Sequence, residues 1–156
     1  MGMASETPRP SAARAETPTV SPAWLRGSAA GLVGGLGMGT FLGLTAPTVI
    51  EGTVPALVGL SGLLAGWTVH LLASALLGVV FTTLVERRPE RRPLTTAVVL
   101  GVAYSILLWL AAGVAVPTWL ALIGADRLAV PWLDPSVLAG LLIYGIVLGA
   151  AHWLFG

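Results

Sequence analysis

Acid–base or ligand chemistry in this chain would fall to two histidines, two tyrosines and a few carboxylates. His70 is the one ionisable group set well inside an apolar run, nine residues after Ser61, or about 13 Å deep at 1.5 Å per residue. An ionisable group at that depth serves a proton or ion path or a ligand set. Otherwise it is a neutral imidazole that bonds Tyr144, Ser74 or a backbone carbonyl and ties helices together. No carboxylate stands near His70 in the sequence, so a relay through it lacks its second member. Helix tying is therefore the expected role, and His70 with Tyr144 forms the candidate intramembrane polar site.

The other chemical readings fail on spacing. A haem held by His70 and His152 needs both at one depth. His70 stands 16 residues before Glu86, roughly 24 Å from the arginine turn, whereas His152 closes the last apolar run at the turn's side of the membrane. His152 with Trp153 reads instead as an interfacial anchor. Gly59-Leu60-Ser61-Gly62 resembles the GxSG nucleophile motif of rhomboid intramembrane proteases, which implies a serine paired with a histidine on a later helix. Here His70 follows on the same helix, some 13 Å from Ser61, against the ~3 Å a serine–base contact requires. Gly35, Gly37 and Gly39 approach a GxGxxG phosphate loop, but Thr40 takes the third glycine's place, no strand precedes it, and the chain has no lysine for a P-loop. The lack of lysine also excludes Schiff-base cofactors, and the lack of cysteine excludes disulfides and thiolate ligands. Glu51, Asp126 and Asp134 are scattered over the outer connections and read as solvated. No catalytic residue, cofactor or metal is expected.

The elements that hold His70 are written in small residues. Gly27, Gly31, Gly35, Gly39 and Gly43 recur every fourth position, with no charge between Arg26 and Glu51. In water each such glycine costs a helix about 1 kcal/mol against alanine. In a bilayer, small residues four apart let two helices approach closely. The run reads as a glycine-zipper transmembrane helix. A second row, Gly62, Gly66, His70, Ser74, Gly78 and Thr82, is its expected partner, and a third row is Ala97, Gly101, Ser105, Trp109 and Gly113.

The chain is 56% apolar and 10% charged, which excludes a water-soluble domain of this length. The expected fold is an all-α membrane protein with spans at about 24–45, 61–85, 94–116 and 135–155, each near the ~20 residues a bilayer needs. Pro47 and Pro117 are expected to end the first and third spans. Thr48–Leu60 reads as a short interfacial or shallow re-entrant segment, and Thr118–Asp134 as a connection lying on the membrane surface. Residues 1–23, rich in proline, alanine, serine and threonine, read as a disordered tail, and the first helix is expected to stay uncleaved.

Arg26 flanks span one, and Arg87, Arg88, Arg91 and Arg92 lie between spans two and three; only Arg127 lies opposite. The positive-inside rule then puts both termini in the cytoplasm, with Trp24 and Trp153 at the inner interface and Trp119 and Trp132 at the outer one. The arginine turn is expected to fix topology; binding of anionic lipid is the second reading. Ala46-Pro47-Thr48 matches Val116-Pro117-Thr118, Val54-Pro55-Ala56-Leu57 matches Val130-Pro131-Trp132-Leu133, and Leu64-Ala65-Gly66 matches Leu138-Ala139-Gly140. These matches suggest a duplicated two-helix hairpin with His70 opposite Tyr144. The segments AGLVGGLGMGT, LLAGWTVHLLASALLGVVF and GLLIYGIVLGAAHW resemble small four-helix membrane proteins of haloarchaea and other prokaryotes, a resemblance that implies the four-span fold and no activity.

For function, the expectation is a non-enzymatic structural or accessory membrane subunit. Its partners would be lipids and either itself or another membrane subunit, with no nucleic acid. The alternative is a small transport or permeation protein for a proton, ion or small solute, using His70.

Overall fold

The computed structural model describes residues 22–87, 92–125 and 128–156. The expected tail up to residue 21, the middle of the arginine turn, and Asp126 and Arg127 lie outside the described residues. The described chain is helical: α1 (Ala23–Thr45), a π-helical turn (Val49–Thr53), the short α2 (Val54–Ala56), α3 (Leu63–Val85), α4 (Leu94–Leu122) and α5 (Pro135–Phe155). α1, α3, α4 and α5 are each long and apolar enough to cross a membrane.

Small residues line the close helix contacts beside a core that holds Leu42, Ile50, Phe81, Leu120, Tyr144 and Leu148, while many other large apolar side chains face outward. The buried positions of α1 are Gly27, Ala30, Gly31, Gly34, Gly35, Gly39 and Leu42, while Leu44, Leu64 and Leu122 are 81%, 83% and 76% exposed. α1 packs on both α3 and α5, and α5 packs on α4. α3 and α4 meet mainly through one side chain. Tyr104 donates its hydroxyl to the Leu77 carbonyl at 3.0 Å, and its ring lies 5.4 Å from that of Phe81.

Two span ends differ from expectation. Ser61 and Gly62 stand outside α3, with Gly62 as N-cap at φ 93°, a left-handed conformation that favours glycine. Pro117 does not end the third span: α4 continues through it to Leu122, and Pro117 is buried. A proline inside a helix cannot donate to the carbonyl four residues back, which here belongs to Gly113. That carbonyl accepts instead from the Trp132 N–H at 2.7 Å. The connection between α4 and α5 therefore folds back onto the end of α4. The connection between α1 and α3 uses the same device. Pro55 has no N–H for the turn before it, and the Glu51 carbonyl accepts from the Gly62 N–H at 2.9 Å. Pro47 acts as expected, with α1 ending at Thr45 and the π turn starting beyond it. Asp134 caps α5, its Oδ1 accepting from Ser136 N at 2.7 Å and Val137 N at 3.3 Å, so this carboxylate is structural.

Candidate functional site

The centre of the bundle is a knot of side chains bonded to backbone carbonyls. His70, 6% exposed, bonds the Gly35 carbonyl through Nε2 at 2.9 Å. A carbonyl only accepts, so Nε2 carries the proton in this arrangement. Ser74 Oγ donates to the His70 carbonyl at 2.7 Å, and Tyr144 donates its hydroxyl to the Ser74 carbonyl at 2.9 Å. His70 and Tyr144 therefore converge on one turn of α3 without bonding each other.

Glycine makes this convergence possible. A Cβ on Gly35 would lie 2.5 Å from Ser74 Cβ, one on Gly39 would lie 2.7 Å from the Trp67 ring and 3.0 Å from His70 Cδ2, and one on Gly34 would lie 2.9 Å from Tyr144 Cδ2. Toward the arginine end, Gly27 and Gly31 meet Gly78 backbone to backbone, and Gly31 meets the Ser74 carbonyl. Gly66 meets the Ile50 carbonyl of the π turn rather than α1. Two row members stand apart. Gly43 is exposed with open space where a Cβ would be, and Gly62 lies in the bend before α3 with equally open surroundings. The α1 contact face thus runs from Gly27 to Gly39.

The α4–α5 pair repeats the α1–α3 contact. Gly101 meets the backbone of Gly145 and Gly149, Ala97 meets Gly149, and Ser105 meets Gly145, as Gly31 meets Ser74 and Gly78, Gly27 meets Gly78, and Gly35 meets Ser74. The Ser105 hydroxyl is fully buried and has no hydrogen-bond partner among the described residues.

Periodicity did not disclose the end beside the arginine turn. Arg26 Nη2 lies 2.7 Å from Glu86 Oε1, joining the start of α1 to the end of α3. His152 Nδ1 shares a 3.1 Å hydrogen bond with Thr82 Oγ1, and its ring sits edge-on to Phe81 at 5.5 Å. His152 therefore turns into the bundle, while Trp153 beside it is exposed. The sole sequence signal for these partners was Thr82's place in the four-spaced row. At the opposite end, Trp119 Nε1 donates to the Leu57 carbonyl at 2.8 Å, linking the α1–α3 connection to the end of α4 beside an open apolar groove of about 690 Å³.

The arrangement ties helices together by polar contacts that close on the chain's own backbone. Among the described residues no three His, Cys, Asp or Glu side chains cluster as metal ligands would. Compared with protein-family models, curated proteins and solved structures, the chain matches none.

Proposed function

We propose that this protein is a structural or accessory subunit of the cell membrane, non-enzymatic and free of cofactors. It would cross four times with both termini cytoplasmic and associate with itself or another membrane subunit. One observation carries the reading: the central polar groups, His70, Ser74 and Tyr144, each bond a main-chain carbonyl of this chain. A site built for a passing solute keeps such groups open to it, whereas a scaffold satisfies them internally. The intramolecular filling of Gly27 to Gly39 and of Gly101 supports the same reading. Arginine placement supports the orientation, and the recurrence of one glycine contact in both helix pairs supports the duplicated hairpin.

Native mass spectrometry of mildly extracted protein is the test, with an oligomer or a retained partner subunit expected. A monomer with nothing bound would sink the accessory-subunit reading. The position of His70 at mid-bundle, beside Ser74 and Tyr144, favours a second reading, permeation of a proton or small solute. It requires His70→Ala to abolish a flux while the protein assembles normally. The scaffold reading expects His70→Ala to lower thermal stability in detergent with no change in flux.

A further inference from the structure

The end of the bundle at the arginine turn gathers charge from all four long helices. Arg26 lies in the first turns of α1, Glu86 caps α3, Arg92 precedes Pro93 at the head of α4, and His152 lies in the last turn of α5. Arg26 and Glu86 form the 2.7 Å pair, their side chains 14% and 32% exposed. The carboxylate is therefore engaged, and the surplus at this end is positive. Arg92 is half-buried yet makes no ion pair or hydrogen bond among the described residues, and Arg87 beside Glu86 is exposed. A half-buried guanidinium calls for an anion. Below it, Val80 and Leu84 of α3 and Leu94 and Val99 of α4 are exposed apolar side chains, on two helices bridged mainly by Tyr104.

We infer that Arg92, with Arg87, docks the phosphate of an anionic phospholipid headgroup, whose acyl chains lie along the exposed faces of α3 and α4. The guanidinium fork matches phosphate oxygens in number and spacing. The charge at this end is complementary to a phosphodiester, and the apolar faces that descend from it suit a lipid rather than a free ion. Basic groups at this position hold anionic headgroups by about fivefold in affinity each.

The full chain in a mild non-ionic detergent tests this by thermal unfolding with added phosphatidylglycerol, phosphatidylcholine or inorganic phosphate. Phosphatidylglycerol alone is expected to raise Tm. Arg92→Gln should weaken its apparent affinity about fivefold, while Arg127→Gln, in the connection between α4 and α5, leaves it unchanged. An equal effect of phosphatidylcholine, a shift produced by inorganic phosphate alone, or an Arg87→Gln/Arg92→Gln protein with undiminished affinity would overturn the assignment. Wild-type protein offered equimolar phosphatidylglycerol and phosphatidylcholine gives a variant-free readout by native mass spectrometry. Preferential retention of the anionic lipid is expected, and equal retention overturns the assignment.

Discussion

Gly35 and Gly43 are the same residue on the same helix about two turns apart, yet only one of them matters to packing. Gly35→Leu would drive a side chain into Ser74 and should cost at least the 1–3 kcal/mol of ordinary overpacking, read as a fall in Tm and loss of the folded fraction in detergent. Gly43→Ala meets nothing and should be neutral or stabilise by up to ~1 kcal/mol through helix propensity. Tyr144→Phe removes one hydroxyl-to-carbonyl bond and should cost about 0.6 kcal/mol, the average for such bonds between membrane helices. Ser105→Ala removes a buried hydroxyl that has no partner among the described residues and should be neutral or mildly stabilising. The four-residue repeat in the sequence marked the whole row from Gly27 to Gly43 alike. A period names a helix face, but only the neighbouring helices decide how far along it contact extends.

At the scale of elements, the spans were legible because length and hydropathy are local properties. The starts of α1 and α5 and the ends of α1, α3 and α5 fell where proline, charge and composition put them. Pro117 is the instructive failure. The rule that proline ends a helix assumes that the freed carbonyl has no better partner than water, and in α4 the Trp132 N–H supplies one. Gly113 permits this approach, since a Cβ there would lie 2.8 Å from Leu133 Cδ2 and 3.1 Å from the Trp132 carbonyl. The Trp132 amide should therefore be protected from hydrogen exchange, and Gly113→Val should release that protection together with some stability of α4 beyond Pro117. Unchanged exchange at Trp132 in the variant would contradict the capping role. The pairing of Glu51 with Gly62 around Pro55 obeys the same physics, and neither partner could be read from sequence because each donor lies several turns of chain beyond the carbonyl it satisfies.

For the whole molecule, the two helix pairs share a contact pattern but not an arrangement, since α1 packs on α5 whereas α3 and α4 are joined mainly through Tyr104. The sequence alignment set His70 against Tyr144, while the contacts set Ser74 against Gly145 and Gly78 against Gly149, a register almost one turn away. Apolar helices align with one another at many offsets, and only backbone approach distinguishes them. Orientation is directly testable because the chain contains no cysteine. Arg87→Cys and Val58→Cys, at exposed positions on opposite ends, should react with a membrane-impermeant thiol reagent from opposite sides, Arg87→Cys from the cytoplasm. Labelling from the same side would refute the four-span topology. By itself the sequence determined the class, the spans and the small-residue faces, because hydrophobicity, helix length and side-chain size act residue by residue. Tertiary structure alone decided which carbonyls bond His70 and Tyr144, where each glycine face stops, how Pro117 sits inside a helix, and which charges meet at the arginine end. Those outcomes depend on groups far apart in the chain whose approach no local pattern encodes.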